Sequence, residues 1–114
     1  MKIVYNTDYG GFSLSDAAIV RYLNLKGLAF TVEQDKYGFT RYNVDGHDHW
    51  YNRDIPRYDP HLVQVVEEMG SAANGSFANL TIAEVEAGQR YRVDEYDGFE
   101  SVMTIDDYEW QIAT

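Results

Sequence analysis

The stretch Asp59-Pro60-His61-Leu62-Val63-Gln64-Val65-Val66-Glu67-Glu68-Met69-Gly70 carries the marks of an α-helix at both ends. Asp59 offers an N-cap oxygen, and Pro60 takes the first helical position, where a missing N–H costs nothing. Leu62, Val65, Val66 and Met69 then form an apolar stripe, and Gly70 closes it. The spacing predicts a helix over about 60–70. Its last turn breaks a local rule: Glu67 and Glu68 face the negative end of the helix dipole, an unfavourable placement of about 0.3–1 kcal/mol each at low salt. With no evident gain inside the sequence, that placement points towards a partner.

Upstream, Lys2 to Asn6 reads as a short strand that Gly10-Gly11 interrupts. The polar cluster Ser13-Leu14-Ser15-Asp16 is suited to capping a second helix, whose stripe is Ala18, Ile19, Tyr22, Leu23 and Leu25. Gly27 stands where a left-handed C-terminal cap is wanted. Leu28 to Tyr51 is rich in β-branched and aromatic residues punctuated by Tyr37-Gly38 and Asp45-Gly46, and predicts two or three short strands, with Asp45-Gly46 the dipeptide suited to a type I′ hairpin turn. Downstream, Leu80, Ile82 and Val85 begin a strand that turns at Ala87-Gly88. Tyr91 to Tyr96 continues, and Asp97-Gly98 forms a second type I′ turn into Phe99 to Thr104, giving a β-meander. The order of elements predicts one α+β domain over residues 1–114, with a mainly antiparallel sheet and two short helices. At 114 residues there is room for one domain of ordinary size.

Charge is concentrated at one end. The chain carries a net −10, and residues 80–114 contribute −7 of it: nine acidic residues against Arg90 and Arg92. A field of that sign repels nucleic acid and attracts basic protein surfaces, and nothing here could neutralise a row of phosphates. The absence of cysteine removes disulfides, thiolate nucleophiles and zinc-thiolate sites, and fits a reducing compartment. No apolar h-region follows Met1, and no run approaches the roughly 20 apolar residues of a membrane span. The expectation is a cytoplasmic protein with no membrane partner.

No motif names a reaction. The densest candidate is Asp45-Gly46-His47-Asp48-His49: two His at i and i+2 on a strand face the same way, and with His61 and a carboxylate they make a candidate metal-dependent hydrolase. The plainer account is a polar hairpin. Gly10-Gly11-Phe12-Ser13 resembles a phosphate-binding turn but lacks the further glycine or lysine such turns use. Asp94/Glu95 and Asp106/Asp107 follow no known calcium-loop spacing. Arg53, Arg57 and Tyr58 form the one basic-aromatic cluster, and with Asp54 and Asp59 beside them ion pairing within a loop is expected. Ten tyrosines exceed what so small a core can hold, so several are expected at the surface, where a ring supplies contact area and a hydroxyl supplies a hydrogen bond.

Four stretches, taken in order, carry a resemblance: Met1-Lys2-Ile3-Val4 through Tyr9-Gly10-Gly11-Phe12-Ser13-Leu14-Ser15, Asn52-Arg53-Asp54-Ile55-Pro56-Arg57, Asp59 through Glu68, and Asp94-Glu95-Tyr96-Asp97-Gly98-Phe99-Glu100. They resemble a group of small uncharacterised proteins common in tailed-phage and prophage genomes. Leu28–Tyr51 lies outside the resemblance. It implies expression in an infected bacterium, where small acidic proteins often bind and inhibit host machinery, and it assigns no catalytic residue. Together these readings predict a non-enzymatic protein without cofactor that binds a basic surface on a host protein through Asp94, Glu95, Tyr96, Asp97 and Glu100. The metal-dependent hydrolase and a structural or regulatory phage protein stand as alternatives.

Overall fold

The computed structural model describes residues 1–104, an α+β arrangement of two helices and six strands. The elements are β1 (Lys2–Asn6), α1 (Asp16–Lys26), β2 (Phe30–Gln34), β3 (Thr40–Val44), α2 (Pro60–Met69), β4 (Leu80–Glu84), β5 (Tyr91–Tyr96) and β6 (Phe99–Thr104). All strand pairing is antiparallel, as expected, but it is divided among three two-stranded ribbons: β1 with β4, β2 with β3, and β5 with β6.

Both helices start and stop where their caps dictate. Ser15 Oγ accepts from Ala18 N–H at 3.2 Å, and Asp59 Oδ1 accepts from His61 N–H at 2.8 Å. Gly27 ends α1 and Gly70 ends α2. Their facing stripes make the core: Ile19, Tyr22 and Leu23 of α1 meet Leu62, Val65 and Val66 of α2, with Val4 of β1 and Tyr42 and Val44 of β3 completing the cluster. Fully burying each such aliphatic side chain contributes about 1.5–3 kcal/mol.

The predicted meander does not form, because β4 ladders with β1 instead of β5. Ile3 and Val4 are both fully buried, so β1 is covered on both faces and its main-chain groups need a strand partner. β4 supplies it in the register Val4↔Ile82 and Asn6↔Leu80, leaving β5 to close on β6 through the tight turn at Asp97-Gly98. That turn has φ of 50° and 87° at its two central residues, the type I′ geometry its sequence predicts.

The first hairpin turns at Tyr37-Gly38, the earlier of the two expected breaks, and not at the Asp45-Gly46 dipeptide suited to a type I′ turn. β2 and β3 are joined through Asp35–Phe39, where Asp35 Oδ1 accepts from Tyr37 N–H at 2.8 Å and Phe39 N–H at 3.0 Å. Gly38 N–H closes the turn on Asp35 O at 3.1 Å. An Asp that ties down its own turn thus outcompetes Asp45-Gly46, which ends β3 and redirects the chain towards α2.

The acidic end of α2 has an answer within the chain. Lys2 Nζ reaches Glu67 at 2.9 Å, and Arg21 reaches Glu68 at 3.3 Å, so the two carboxylates hold β1 and α1 against the helix. Their position at the negative end of the helix dipole is thus accounted for within the chain and points to no partner.

Candidate functional site

Three loops meet at one end of the molecule: residues 7–12 after β1, residues 75–79 before β4, and the β5–β6 turn. Asn6 gathers them. It is fully buried at the end of β1, and its side chain uses every hydrogen-bonding direction the loops offer. Its Nδ2 donates to Asp8 O at 2.7 Å and to Gly98 O at 2.9 Å, while its Oδ1 accepts from Asn79 N–H at 2.9 Å. Its own main-chain N–H donates to Glu100 Oε1 at 2.9 Å. Two glycines permit the close approach. A β-carbon on Gly10 would overlap Phe77, and one on Gly98 would overlap the Tyr9 carbonyl and Gly11 nitrogen.

This buried polar hub holds up an exposed aromatic surface. Tyr9 is 63% exposed, Phe77 80% and Tyr96 79%. The Tyr9 and Phe99 rings lie 5.3 Å apart, which joins the first loop to the hairpin. Phe77 sits at φ 63°, a left-handed conformation that is an outlier for a bulky side chain. An aromatic residue held in that conformation and left in solvent is strain of the kind that collects at binding sites. Around these rings stand Asp8, Glu95 and Asp97, and no Lys or Arg occurs within residues 7–12, 75–79 or 95–99.

The five residues expected to bind a partner separate into two groups. Tyr96, Asp97 and Glu95 are exposed at the turn, with Glu95 Oε1 also accepting from Gly98 N–H at 2.7 Å. Asp94 is partly exposed and pairs with Arg92 at 2.8 Å. Glu100 is a correction: it is 7% exposed and points inward, where Asn6 N–H and the Arg57 guanidinium, 3.1 Å from Oε2, consume its oxygens. Arg57 in turn stacks 3.6 Å over the Phe12 ring. A hairpin read as an acidic face thus places one of its carboxylates in the interior, where Arg57 and the Asn6 N–H receive it. Arg57 does form an ion pair, but with Glu100 rather than Asp59. The acidic residues Asp106, Asp107 and Glu109 lie outside the described residues.

Asn6, Tyr9 and Phe77 escape a reading of the sequence. Asn6 looks like the polar end of a strand, Tyr9 looks like a loop residue, and Phe77 follows Asn-Gly-Ser with no periodicity to mark it. A trace of the site is present only in the repeated conjunction of glycine with an aromatic residue, at Tyr9-Gly10-Gly11-Phe12, Gly75-Ser76-Phe77 and Tyr96-Asp97-Gly98-Phe99.

The histidines do not assemble. His47 and His49 lie in an irregular turn after β3 instead of on a strand, both exposed, and His61 occupies the first turn of α2. Among the described residues no group of three or more His, Asp or Glu is placed to hold a metal ion. Beside His47 and His49 opens a cleft of about 480 Å³ whose inner wall includes Tyr22 and Lys26. Here Asp59 Oδ2 accepts from the Tyr22 hydroxyl at 2.8 Å and from Lys26 Nζ at 2.7 Å. Burial pushes the Asp59 carboxyl up, but the hydrogen bonds from Lys26, Tyr22 and His61 N–H outweigh it and hold the carboxyl below its ordinary value. Lys26 is raised by the same Asp59 bond, and Tyr22 by burial and then by Asp59. All three groups are locked in their resting charge states, the opposite of what acid-base catalysis near neutral pH needs.

Comparison with protein-family models, with curated proteins and with solved structures finds no match. Among the described residues no helix is long and apolar enough to cross a membrane.

Proposed function

We propose that the protein is a non-enzymatic binding protein whose three-loop tip engages a basic surface on another protein. The observation that carries this reading is the exposure of Tyr9, Phe77 and Tyr96 on a buried hydrogen-bonded scaffold, beside Asp8, Glu95 and Asp97 and with no Lys or Arg within the three loop segments themselves. Aromatic faces attract Lys and Arg side chains by about 0.5–1 kcal/mol each while exposed and by about 2 kcal/mol once desolvated. The carboxylates add complementarity and, with the net −10 of the whole chain, speed the encounter. Because Asn6 fixes the loops before contact, little ordering entropy is lost on binding. The resemblance to phage and prophage proteins makes a host protein the natural target and inhibition the natural consequence.

The test is affinity capture from bacterial lysate at low and high salt, run in parallel with wild-type protein, Tyr96→Ala, and a distant aromatic control, Tyr37→Ala. The expected result is a salt-sensitive partner that Tyr96→Ala loses and Tyr37→Ala keeps. Equal capture by all three proteins would overturn the placement of the surface.

A further inference from the structure

Two clefts share Trp50 and Tyr51 in their walls, and we propose that this aromatic ridge carries a neutral oligosaccharide of glucose or N-acetylglucosamine type, laid from one cleft to the other. The larger cleft, of about 750 Å³, opens between the β2–β3 hairpin and the start of α1. The smaller, of about 480 Å³, is the one beside His47 and Lys26. Both lie within the roughly 300–1,000 Å³ of small-ligand sites. Phe39 of the hairpin, 72% exposed, adds a third aromatic side chain to the larger cleft, and Tyr51 is 48% exposed. Trp50 is partly exposed and is held by Tyr22, whose ring lies 6.4 Å away at 24°. None of these three residues belongs to the loops of the tip.

Charge decides what such a ridge can hold. Asp16, Glu33 and Asp35 line the larger cleft, and Asp48 and Asp54 the smaller, so an anion is repelled in both. Arg41 and Lys26 stand in the same walls, and the Arg53 guanidinium already lies 4.9 Å from the centre of the Tyr51 ring, so a cation also meets its own charge. A purely apolar ligand would take water from these polar walls and return no hydrogen bond. The mixed lining selects a neutral ligand with apolar faces and a polar rim. A sugar ring whose hydroxyls are all equatorial has that form: axial C–H bonds make both faces apolar, and the hydroxyls radiate from the edge.

Groups to meet those hydroxyls are present in both polarities. The Tyr42 hydroxyl donates to Asp16 Oδ1 at 2.7 Å, which fixes the carboxylate and leaves Oδ2 as an acceptor. Asn52 Oδ1 accepts from Leu14 N–H at 3.0 Å, which leaves its Nδ2 as a donor. The Arg41 guanidinium has no partner among the described residues. A hydroxyl both donates and accepts, so a sugar can satisfy this set where a ligand of one polarity cannot. A flat nucleobase is held best between two rings, whereas Trp50 already stacks on Tyr22.

The experiment is an NMR titration of the full chain with tri-N-acetylchitotriose, cellotriose and maltotriose, and in parallel with adenosine and spermidine. At least one trisaccharide should bind in the micromolar to millimolar range and shift the signals of Phe39, Trp50 and Tyr51. Tyr51→Ala and Phe39→Ala, both at exposed side chains, should each weaken that binding between about two-fold and about ten-fold. Tyr96→Ala, at the tip, should leave it unchanged, and unaltered signals from α1 and α2 will show that each variant is folded. No shift with any of the three trisaccharides, binding indifferent to both Tyr51→Ala and Phe39→Ala, or adenosine or spermidine bound more tightly than every trisaccharide would each overturn the proposal.

Discussion

The side-chain amide of Asn6 donates to the main-chain carbonyl of Gly98 at 2.9 Å, tying the end of β1 to a turn 92 residues further along the chain. The same side chain holds Asp8 and Asn79, so one buried amide sets the relative positions of three loops. Asn6→Ala would leave the Asn79 N–H and two carbonyls without their partner, each at a cost of about 1–3 kcal/mol where water cannot replace it. The expected loss is about 3 kcal/mol in urea unfolding, with a matching loss of partner capture. Full retention of stability would show that solvent reaches the hub.

Phe77 gives a test in which stability and binding move in opposite directions. Its φ of 63° favours glycine, and its ring is solvent-exposed, so Phe77→Gly removes backbone strain at little loss of packing. Thermal unfolding should show the variant unchanged or more stable by about 1 kcal/mol, with the flexibility of glycine in the unfolded chain offsetting part of the gain. Partner capture should fall. A variant that is less stable by more than that would place Phe77 in packing rather than in recognition.

What the sequence reveals and what it hides divide along one physical line. Helix ends and tight turns depend on a few adjacent residues, and Asp59-Pro60, Ser15, Gly27 and Asp97-Gly98 all act where local rules place them. Strand partnership depends on burial elsewhere, so nothing near Leu80 announces that β4 belongs to β1. The same division runs through the site. Glu95, Tyr96 and Asp97 are legible because they share one hairpin, whereas Tyr9 and Phe77 join them only through Asn6. Glu100 looks like its neighbours in sequence, and only the position of Arg57 makes it an interior residue.

The Glu100–Arg57 pair anchors the β5–β6 hairpin to the body, and removing either end has unequal consequences. Arg57→Ala leaves a carboxylate that is 9% exposed without its cation and exposes Phe12, a change expected to cost about 3 kcal/mol or more. Glu100→Gln keeps an acceptor for the Asn6 N–H and should cost less. Amide hydrogen exchange should show faster exchange across β5 and β6 in Arg57→Ala while α1 and α2 retain their protection. Uniform acceleration throughout would mean that the hairpin has no separate anchorage.

The Asp59, Tyr22 and Lys26 cluster sets how stability varies with pH. The Asp59 carboxyl lies below its unfolded value of about 3.9, so its contribution is fully present above about pH 4 and disappears as pH falls through the lowered folded value. Lys26 and Tyr22 both lie above their unfolded values of about 10, as does Tyr42, through burial and its bond to Asp16. Their contributions are present below about pH 10 and are lost as pH rises through the raised values. Urea midpoints should therefore form a plateau between these limits and fall on both sides. Asp59→Asn isolates the charge, because asparagine still caps α2 by accepting from His61 N–H. That variant should lower the plateau and flatten the acid limb, while the alkaline fall from Tyr42 persists. An acid limb as steep as in the wild type would assign acid unfolding to carboxylates outside this cluster.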